Sequence, residues 1–371
     1  MLNKFIQKRF ASKVYTVGWN YNNLGKNVIK GQEESEICKP ERLSFDSPLT
    51  TKKMVSGYSE SVLLTSEGEV YNFGANAIFN KIGETPQKID ELQNVRDLDV
   101  DQSHSIYLTD DGRVLEMDEK GINEVPVNGK VEMVACGKDF SMAVIGNEKG
   151  KQKLVAWPRN FNSFPSVFGY EGNKRSMHSI AKPEGFIDIG GLNEIIEMDK
   201  TKIKKIKIVG ESVAVLLDNG VLATWGDNKT GNLGIPRSLM ILYDYYIHQV
   251  KVPMLENGLT EYVKDFDISS NNIIMLTEKN EIYYAGRDKH LSLQKLPFFA
   301  DKKIKSVGSY FNNYVIVTEE GEVFATEPVN QEKYVKYWGD YKLYQYSQEY
   351  FGNDKIVEVS GKYDNAYLLA Q

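Results

Sequence analysis

The sequence predicts an all-β fold, a single seven-bladed β-propeller closed by pairing of its N- and C-terminal strands. Three observations support this prediction. Two different strand outlines each recur seven times along the 371 residues, tight-turn signals join them, and the chain begins and ends on opposite halves of the repeat. Repetition of this kind takes precedence over length, which by itself would suggest two domains.

One outline is a short strand of alternating apolar residues, introduced by Gly, Asn or a polar turn. Its strongest copy is GVLATWG at 220–226. The copies lie at 13–18, 68–74, 112–118, 153–158, 220–226, 280–286 and 321–327. Alternation with a period of two is typical of a strand.

The second outline precedes most copies of the first. Its copies lie at 55–68, 99–112, 135–146, 208–220, 267–280, 306–321 and 359–371. Turns such as SEG, DDG, DNG, EKN and EEG join it to the following strand. An acidic or amide residue with Gly or Asn supplies the positive φ that a tight hairpin requires, so each pair is predicted to be a hairpin.

The two ends of the chain predict the topology. The chain begins with the second strand of a pair, at 14–18, and ends with the first strand of a pair, at 368–369. A linear array would leave both half-repeats with open edges that invite aggregation. A closed ring lets the N-terminal strand complete the last blade, which gives seven blades.

The segment GVLATWGDNKTGNLG at 220–234, followed by Pro253 in VKVPMLENG, resembles the repeat of the regulator of chromosome condensation (RCC1-like) family. KVYTVGWNYNNLG at 13–25 keeps the same motif with one residue missing, and the resemblance spans about residues 13–371. It implies a seven-bladed propeller closed by its own termini. Within the motif we expect Gly226, Gly231 and Gly234 to be turn glycines and Trp225 to pack between blades.

The family's namesake is a nucleotide exchange factor for the small GTPase Ran. The resemblance implies that acidic and histidine residues on one face, together with a projecting β-wedge, would carry such an activity. In the family pattern the fourth position of the first-half strand is often His. The aligned positions here are Glu60, His104, Phe140, Asn272 and Asn365. Retention of His104 alone weakens the exchange-factor interpretation.

No catalytic, cofactor-binding or metal-binding residues are predicted. A phosphate-binding loop needs Lys and then Ser or Thr after its second glycine, but in GDNKTG at 226–231 that glycine is followed by Asn232 and Leu233. The four histidines show no ligand spacing. We expect His104 to line the channel as a polar side chain, and Asp99 and Asp101 to be turn or strand polar residues. Cys136 is expected to be a small buried thiol. The sequence therefore predicts that the protein is not an enzyme.

Composition narrows the class of partner. The net charge of −6 and the pI of about 5.5 argue against duplex DNA as the main partner. Two cysteines indicate a reducing compartment, and no apolar run is long enough to span a bilayer, so we expect a chain that is not itself transmembrane.

The first residues predict a mitochondrial location. MLNKFIQKRFAS at 1–12 is basic and amphipathic, and no acid occurs before Glu33. This composition is typical of a mitochondrial targeting segment, the alternative being an ordinary basic tail. The predicted domains are therefore a targeting segment at 1–12 and a propeller at 13–371.

Three insertions enlarge the predicted propeller, near 158–200, 236–250 and 327–352. The second is apolar and aromatic, and is either a buried extra strand at the rim or a partner-binding patch. The third is rich in tyrosine, with spacing that fits both a helix and a strand. The candidate partner-contact residues are Leu239, Met240, Tyr243, Tyr245, Tyr246, Tyr334, Tyr337, Trp338, Tyr341 and Tyr344.

Two lysine-containing stretches leave nucleic acid open as a partner. Lysines interleave with the tyrosines of the third insertion and could support RNA stacking, although protein contact is favoured there. In KTKIKKIK at 200–207 we expect Ile203 and Ile206 to point inward and the lysines to form a solvated strand face, with RNA or anionic lipid contact as the alternative.

Together these features predict a non-catalytic interaction or scaffold subunit of a larger mitochondrial assembly, either a respiratory-chain complex or the mitoribosome. Its partners would be protein subunits of that complex. The first alternative is a guanine nucleotide exchange factor for a small GTPase. The second is RNA binding during mitoribosome assembly.

Overall fold

A computed structural model gives the fold. It describes residues 13–20, 35–43, 50–58, 60–76, 81–147, 150–159, 187–188, 201–235, 243–249, 262–286, 290–296, 299, 301–326, 334–338, 341–363 and 365–371. The proposed targeting segment at 1–12 lies outside these residues. No helix in the described ranges has the length and apolar character needed to cross a membrane.

The described residues form seven antiparallel sheets, the blades of a propeller. The first two strands in chain order are β1 (Lys13–Asn20) and β2 (Ser35–Arg42). Blade 1 contains β3 (Thr51–Ser56), β4 (Glu60–Thr65), β5 (Val70–Asn76) and β6 (Lys81–Lys88). Blade 2 contains β7 (Val95–Val100), β8 (Ser105–Thr109), β9 (Val114–Asp118) and β10 (Gly121–Val125). Blade 3 contains β11 (Lys130–Cys136), β12 (Phe140–Gly146), β13 (Gln152–Pro158) and β14 (Ile187–Asp188).

The remaining blades follow in chain order. Blade 4 contains β15 (Ile203–Val209), β16 (Ser212–Leu217), β17 (Leu222–Asp227) and β18 (Tyr243–Gln249). Blade 5 contains β19 (Val263–Ile268), β20 (Asn272–Thr277), β21 (Ile282–Gly286) and β22 (His290–Leu296). Blade 6 contains β23 (Ile304–Tyr310), β24 (Asn313–Thr318), β25 (Val323–Ala325), β26 (Tyr334–Trp338) and β27 (Tyr341–Gln345). Blade 7 combines β28 (Ile356–Gly361) and β29 (Asn365–Ala370) with β1 and β2.

Blade 7 closes the ring, as predicted. Its strand order is β2-β1-β29-β28, and β1 pairs antiparallel with β29 from Lys13↔Ala370 to Gly18↔Asn365. Side chains reinforce this pairing. Tyr15 donates a hydrogen bond to Asp354 at 2.7 Å, and the Lys13 ammonium lies 2.6 Å from the same carboxylate. The N-terminal and C-terminal half-repeats therefore form one blade, so neither β1 nor β29 is an edge strand.

The hydrophobic core is divided among the interfaces between neighbouring blades. Trp225 in β17 is fully buried and belongs to a cluster with Phe140 and Leu154 of blade 3. This confirms the predicted packing of Trp225 between blades. Gly226, Gly231 and Gly234 all have positive φ, which confirms their predicted turn conformation.

The hairpin turns have the predicted backbone geometry. Gly220 has a φ of 84° and Asn280 a φ of 64°. At Gly220 an added Cβ would also lie 2.5 Å from the Cβ of Tyr262, so both the dihedral angle and the space exclude a side chain.

All three insertions supply strands at the outer edges of blades. The second supplies β18, the outer strand of blade 4, and the third supplies the β26–β27 hairpin of blade 6. The helical alternative for the third insertion is therefore wrong across its described part, apart from a short 3-10 helix at Gln348–Tyr350. Within the first insertion, the structure describes Arg159 and Ile187–Asp188 beyond the end of β13, and Ile187–Asp188 form β14, the outer strand of blade 3.

Candidate functional site: the central channel

The innermost strands of the seven blades surround a central channel. In every blade the pairing of this strand with its neighbour shifts by one residue near the start, for example between Ile203 and Lys205 in β15. The same shift recurs in β3, β7, β11, β19, β23 and β28. A bulge of this type re-aims the side chains that follow it. Equivalent positions of the seven strands consequently form rings around the channel.

A cavity of about 460 Å³ occupies the channel. Its lining includes Lys53, Lys205, Lys305, Asp265 and Glu358, which come from five different blades. The lining is therefore strongly charged, with both signs present. This composition differs from the mostly apolar lining of a typical small-molecule pocket.

Lysines on the inner strands reach across to the next blade. Lys53 of blade 1 donates to Asp97 and to the Leu98 carbonyl, both at 2.7 Å. Lys205 of blade 4 repeats the arrangement, donating to Asp265 at 2.8 Å and to the Phe266 carbonyl at 2.6 Å. Burial by itself would lower the pKa of Lys205, but the carboxylates of Asp265 and Asp267 outweigh that effect, so the pKa is raised. Each lysine thus pairs with a carboxylate and also satisfies an edge carbonyl.

Aspartates satisfy the edge amides in the same way. Asp99 accepts a hydrogen bond from the Cys136 amide of blade 3 at 2.9 Å. Asp267 accepts from the Ser309 amide of blade 6 at 2.8 Å and from the Gly361 amide of blade 7 at 3.0 Å. The inner edge of each sheet would otherwise present unpaired backbone groups, so these carboxylates act as structural caps.

A buried ion cluster lies at the far end of the inner strands. Lys362 of blade 7 is 1% exposed, and its ammonium lies 3.1 Å from Asp99 and 3.3 Å from Asp101. It also donates to the carbonyls of Val100 and Cys136. One side chain therefore links blades 7, 2 and 3 across the channel.

Tyr363 and Lys207 extend the same network. The Tyr363 hydroxyl donates to Asp101 at 2.5 Å and accepts from the Gly210 amide of blade 4 at 3.1 Å. Lys207 pairs with Asp267 and donates to the Gly361 carbonyl of blade 7. Burial lowers the pKa of Lys207, although Asp267 opposes that change.

These contacts extend one sequence-based expectation and correct another. Asp99 lies in β7 and Asp101 directly follows it, so both are strand or turn polar residues as expected, and the structure adds that they form a buried ion cluster with Lys362. Among the lysines predicted to form a solvated face, Lys204 is exposed but Lys207 is buried. Ile203 is buried and Ile206 partly buried, as expected.

His104 lies between blades 2 and 3 and is fully buried, so the expectation that it lines the channel is wrong. Its Nε2 is 2.8 Å from Ser141 Oγ, and that hydroxyl donates to Glu116 at 2.6 Å. Burial, followed by the positive charges of Arg159 and Lys362, lowers the pKa of His104 to about 3. The imidazole is therefore neutral at physiological pH and serves as a donor to Ser141.

The His104–Ser141–Glu116 arrangement does not suit nucleophilic catalysis. In a serine triad the acid orients the histidine through its second ring nitrogen, leaving the serine free to attack. Here the acid accepts a hydrogen bond from the serine itself, and both Ser141 and His104 are fully buried. The three residues form a hydrogen-bond chain between two blades.

We expect His104 to make protein stability depend on pH. Its native pKa lies below the unfolded value of about 6.5, so the stability it contributes is complete above pH 6.5 and is lost as pH falls toward 3. The advantage of the wild type over His104→Gln in free energy of unfolding should shrink by about 2 kcal/mol between pH 7.5 and pH 5. Urea denaturation of both proteins measures this difference. A native imidazole that titrates near pH 6.5 by NMR would contradict the assignment.

The other aligned first-half positions are buried as well. Glu60, Phe140, Asn272 and Asn365 are each no more than 6% exposed. Burial raises the pKa of Glu60 to about 7. Cys136 is fully buried, as predicted, and burial raises the pKa of its thiol. Across the part of the chain that the structure describes, no group of three or more His, Cys, Asp or Glu side chains could hold a metal ion.

The predicted partner-contact residues lie on the outer strands where the structure describes them. Leu239 and Met240 fall outside the described residues. The backbones of the others belong to β18, β26 and β27, namely Tyr243, Tyr245, Tyr246, Tyr334, Tyr337, Trp338, Tyr341 and Tyr344. Of their side chains only that of Tyr344 is described, and it is 7% exposed. Their role in partner contact stays a prediction.

Lys362, Tyr363 and Asp267 were not predicted from the sequence as functional residues. A usable signal was present in the alternating acids of DLDVD at 97–101, which recur as DFDIS at 265–269. Alternation places those acids on one side of an inner strand. Comparing the repeats at this position would have predicted a charged channel.

The propeller is similar to several solved structures. Yeast RCC1 (Prp20), whose structure was solved bound to Kap60, superposes with a TM-score of 0.71 at 15% identity, covering 97% of this chain and 90% of that one. The chain has the RCC1 propeller fold. A second structure of Prp20p from Saccharomyces cerevisiae gives a TM-score of 0.70 at 14% identity, covering 97% and 92% of the two chains. The structure of human WBSCR16 superposes with a TM-score of 0.68 at 13% identity, covering 97% of this chain and 100% of that one.

These comparisons confirm the RCC1-like resemblance at the level of fold. No protein-family model matches the sequence. Identities of 13–15% do not carry a shared activity with them.

Proposed function

We propose that this RCC1-like propeller is a non-catalytic interaction subunit of a larger mitochondrial assembly, with a respiratory-chain complex or the mitoribosome as host. The observation that carries the proposal is that lysines of the channel form salt bridges with aspartates of neighbouring blades. Lys53, Lys205 and Lys207 pair with aspartates of neighbouring blades. Groups held in this way stabilise the ring and are not available as acids, bases or nucleophiles.

The outer strands offer the contact surface for this role. β18 and β26 form the outer edges of blades 4 and 6, and both carry several aromatic residues. Tyrosine and tryptophan are enriched at protein interfaces because they combine a large apolar area with a polar tip. The mitochondrial location rests on the composition of residues 1–12.

A second candidate function is guanine nucleotide exchange on a small GTPase. It is favoured by the fold shared with Prp20p, whose structure was described together with its binding to Gsp1p. The burial of His104 and the pairing of Asp99 and Asp101 with Lys362 count against it, because the polar groups that the family resemblance would use are held inside the fold.

Affinity capture of the tagged full-length chain from isolated mitochondria tests the proposal. We expect a defined set of subunits from one complex to co-purify, and nuclease treatment should leave that set unchanged. Loss of the set after nuclease treatment would support RNA binding instead. Fractionation with cytosol or nuclei would overturn the localisation and the function together.

A nucleotide-release assay separates the two candidate functions. The purified chain should not accelerate release of labelled GDP from small GTPases recovered in the capture experiment. Measurable acceleration, relative to a buffer control and to heat-denatured protein, would replace the scaffold role with exchange activity.

A further inference from the structure

The inner strands of all seven blades begin on the same face of the propeller, which we call the entry face. This is shown by a contact, repeated in five blades, between the hairpin that joins the second and third strands and the residue preceding the inner strand. Ser66 donates its amide to the Thr50 carbonyl, Asp218 to Lys202 and Glu319 to Lys303, each at 2.8 Å. The residue skipped by each bulge and the residue two positions before it therefore surround the channel mouth.

Basic residues dominate these positions. The set comprises fourteen positions, two for each of seven blades, of which nine hold Lys or Arg and one, Glu132, is acidic. The nine form the basic ring: Lys52, Arg96, Lys130, Lys202, Lys204, Lys264, Lys303, Lys305 and Lys355. This ring is a local exception in a chain with a net charge of −6.

Carboxylates do not neutralise the basic ring. None of its nine members forms a salt bridge with an acidic side chain of the described residues. Lys52 instead donates to the Arg96 carbonyl and Lys204 to the Lys264 carbonyl, each at 2.8 Å. Because a carbonyl carries no net charge, these bonds hold the lysines along the mouth and leave their charge uncompensated.

An outer ring of acids surrounds the basic ring. It comes from the hairpins between the second and third strands of five blades, which lie farther from the channel axis than the inner strands. Its members are all exposed: Glu67, Asp110, Asp111, Asp218, Glu278, Glu319 and Glu320. The entry face thus presents a positive centre within a mainly acidic border, whose basic members are Arg113, paired with Asp111 at 2.9 Å, and Lys279.

We propose that the basic ring binds an extended acidic segment of a partner protein, seated over the channel mouth. This proposal rests on the proposed function, since it names the chemistry of one partner contact. A narrow chain of carboxylates reaches the positive centre without crossing the acidic border. Of the lysines that line the cavity beneath, of about 460 Å³, Lys53 and Lys205 are already paired with Asp97 and Asp265, so Lys305 is the one that belongs to the basic ring.

The same geometry disfavours wider polyanions. A membrane surface or a nucleic acid duplex would lie across the whole face and meet the acidic border together with the basic ring, and like charges that face each other are repulsive. Single-stranded RNA is bound by stacking on aromatic side chains. At the fourteen mouth positions, Tyr262 is the one aromatic residue.

Binding of a fluorescein-labelled peptide of eight glutamates to the full-length protein tests the proposal by fluorescence anisotropy. We expect saturable binding that weakens as salt is raised, because the contact is electrostatic. The double variant Lys202→Glu/Lys264→Glu, in which both changed residues are exposed, should bind about tenfold more weakly or worse. The control Lys120→Glu/Lys138→Glu makes the same charge change at two exposed lysines on the opposite face and should bind as the wild type does.

The remaining outcomes also decide the question. Equal binding by both double variants would overturn the assignment to the entry face. Tighter binding of an eight-nucleotide oligouridine or of vesicles rich in anionic lipid, lost in Lys202→Glu/Lys264→Glu, would replace the acidic segment with nucleic acid or membrane. If the peptide does not bind while mitochondrial subunits still co-purify, the acidic-segment proposal fails and the proposed function stands. If no subunits co-purify with the wild type, the proposed function fails.

Discussion

Replacing Lys362 with methionine should destabilise the protein by about 3 to 5 kcal/mol, among the largest effects expected of a single substitution. The change leaves the buried Asp99 and Asp101 without their shared cation, and it unpairs the carbonyls of Val100 and Cys136. Burial opposes the charge on Lys362, but the two carboxylates raise the pKa of its ammonium, so the cation is retained in the native state. Urea denaturation of Lys362→Met against the wild type measures the loss.

Two further variants identify the cause of that loss. Lys355→Met removes an exposed lysine that precedes β28 and should change stability by less than about 0.5 kcal/mol. Adding Asp99→Asn and Asp101→Asn to Lys362→Met should recover part of the stability, because no unpaired charge then stays buried. A Lys362→Met protein as stable as Lys355→Met would show that the buried cluster does not hold the blades together.

Replacing Tyr15 with alanine should cost about 3 to 5 kcal/mol as well, because it weakens the closure of the ring. The Tyr15 ring is 3% exposed and packs edge-on against Phe351 at 5.2 Å. Its hydroxyl donates to Asp354 and to the Phe351 carbonyl. Burial, together with the Asp354 carboxylate, raises the pKa of Tyr15 to about 12, so the hydroxyl remains a donor at neutral pH.

Tyr262→Ala is the matched control for Tyr15→Ala. Tyr262 is 54% exposed and precedes β19, far from the pairing of β1 with β29. Its loss should cost less than about 1 kcal/mol in the same denaturation experiment. Equal losses for the two variants would indicate that Tyr15 contributes only as an ordinary surface aromatic.

Most of the architecture could be predicted because its signals are local. Turns such as DNG at 218–220 specify a hairpin within a few residues, and seven copies of the same pattern specify the number of blades. Closure followed from the half-repeats at the two ends, since an unpaired strand at either end would be a liability. The pairing of Val14 with Leu369 bears this out.

The channel could not be predicted in the same way, because its contacts are not local. Lys362 and Asp99 are separated by 263 positions in the chain, and their contact depends on how three blades are arranged around the axis. His104 shows the same limit. Its residue type suggested that it lines the channel, but His104 directly precedes β8 and its side chain points toward Ser141 of the next blade.

The most direct test of closure by the chain's own ends is amide hydrogen exchange, which reports the opening of individual strands. β1 lies between β29 and β2 in blade 7, so its amides are expected to exchange as slowly as those of β29. Mass spectrometry of peptides covering 13–18 and 365–370 makes this comparison on the unmodified protein. Comparable protection of the two segments is the predicted result. Exchange of 13–18 within seconds, while 365–370 remains protected, would contradict the closed ring.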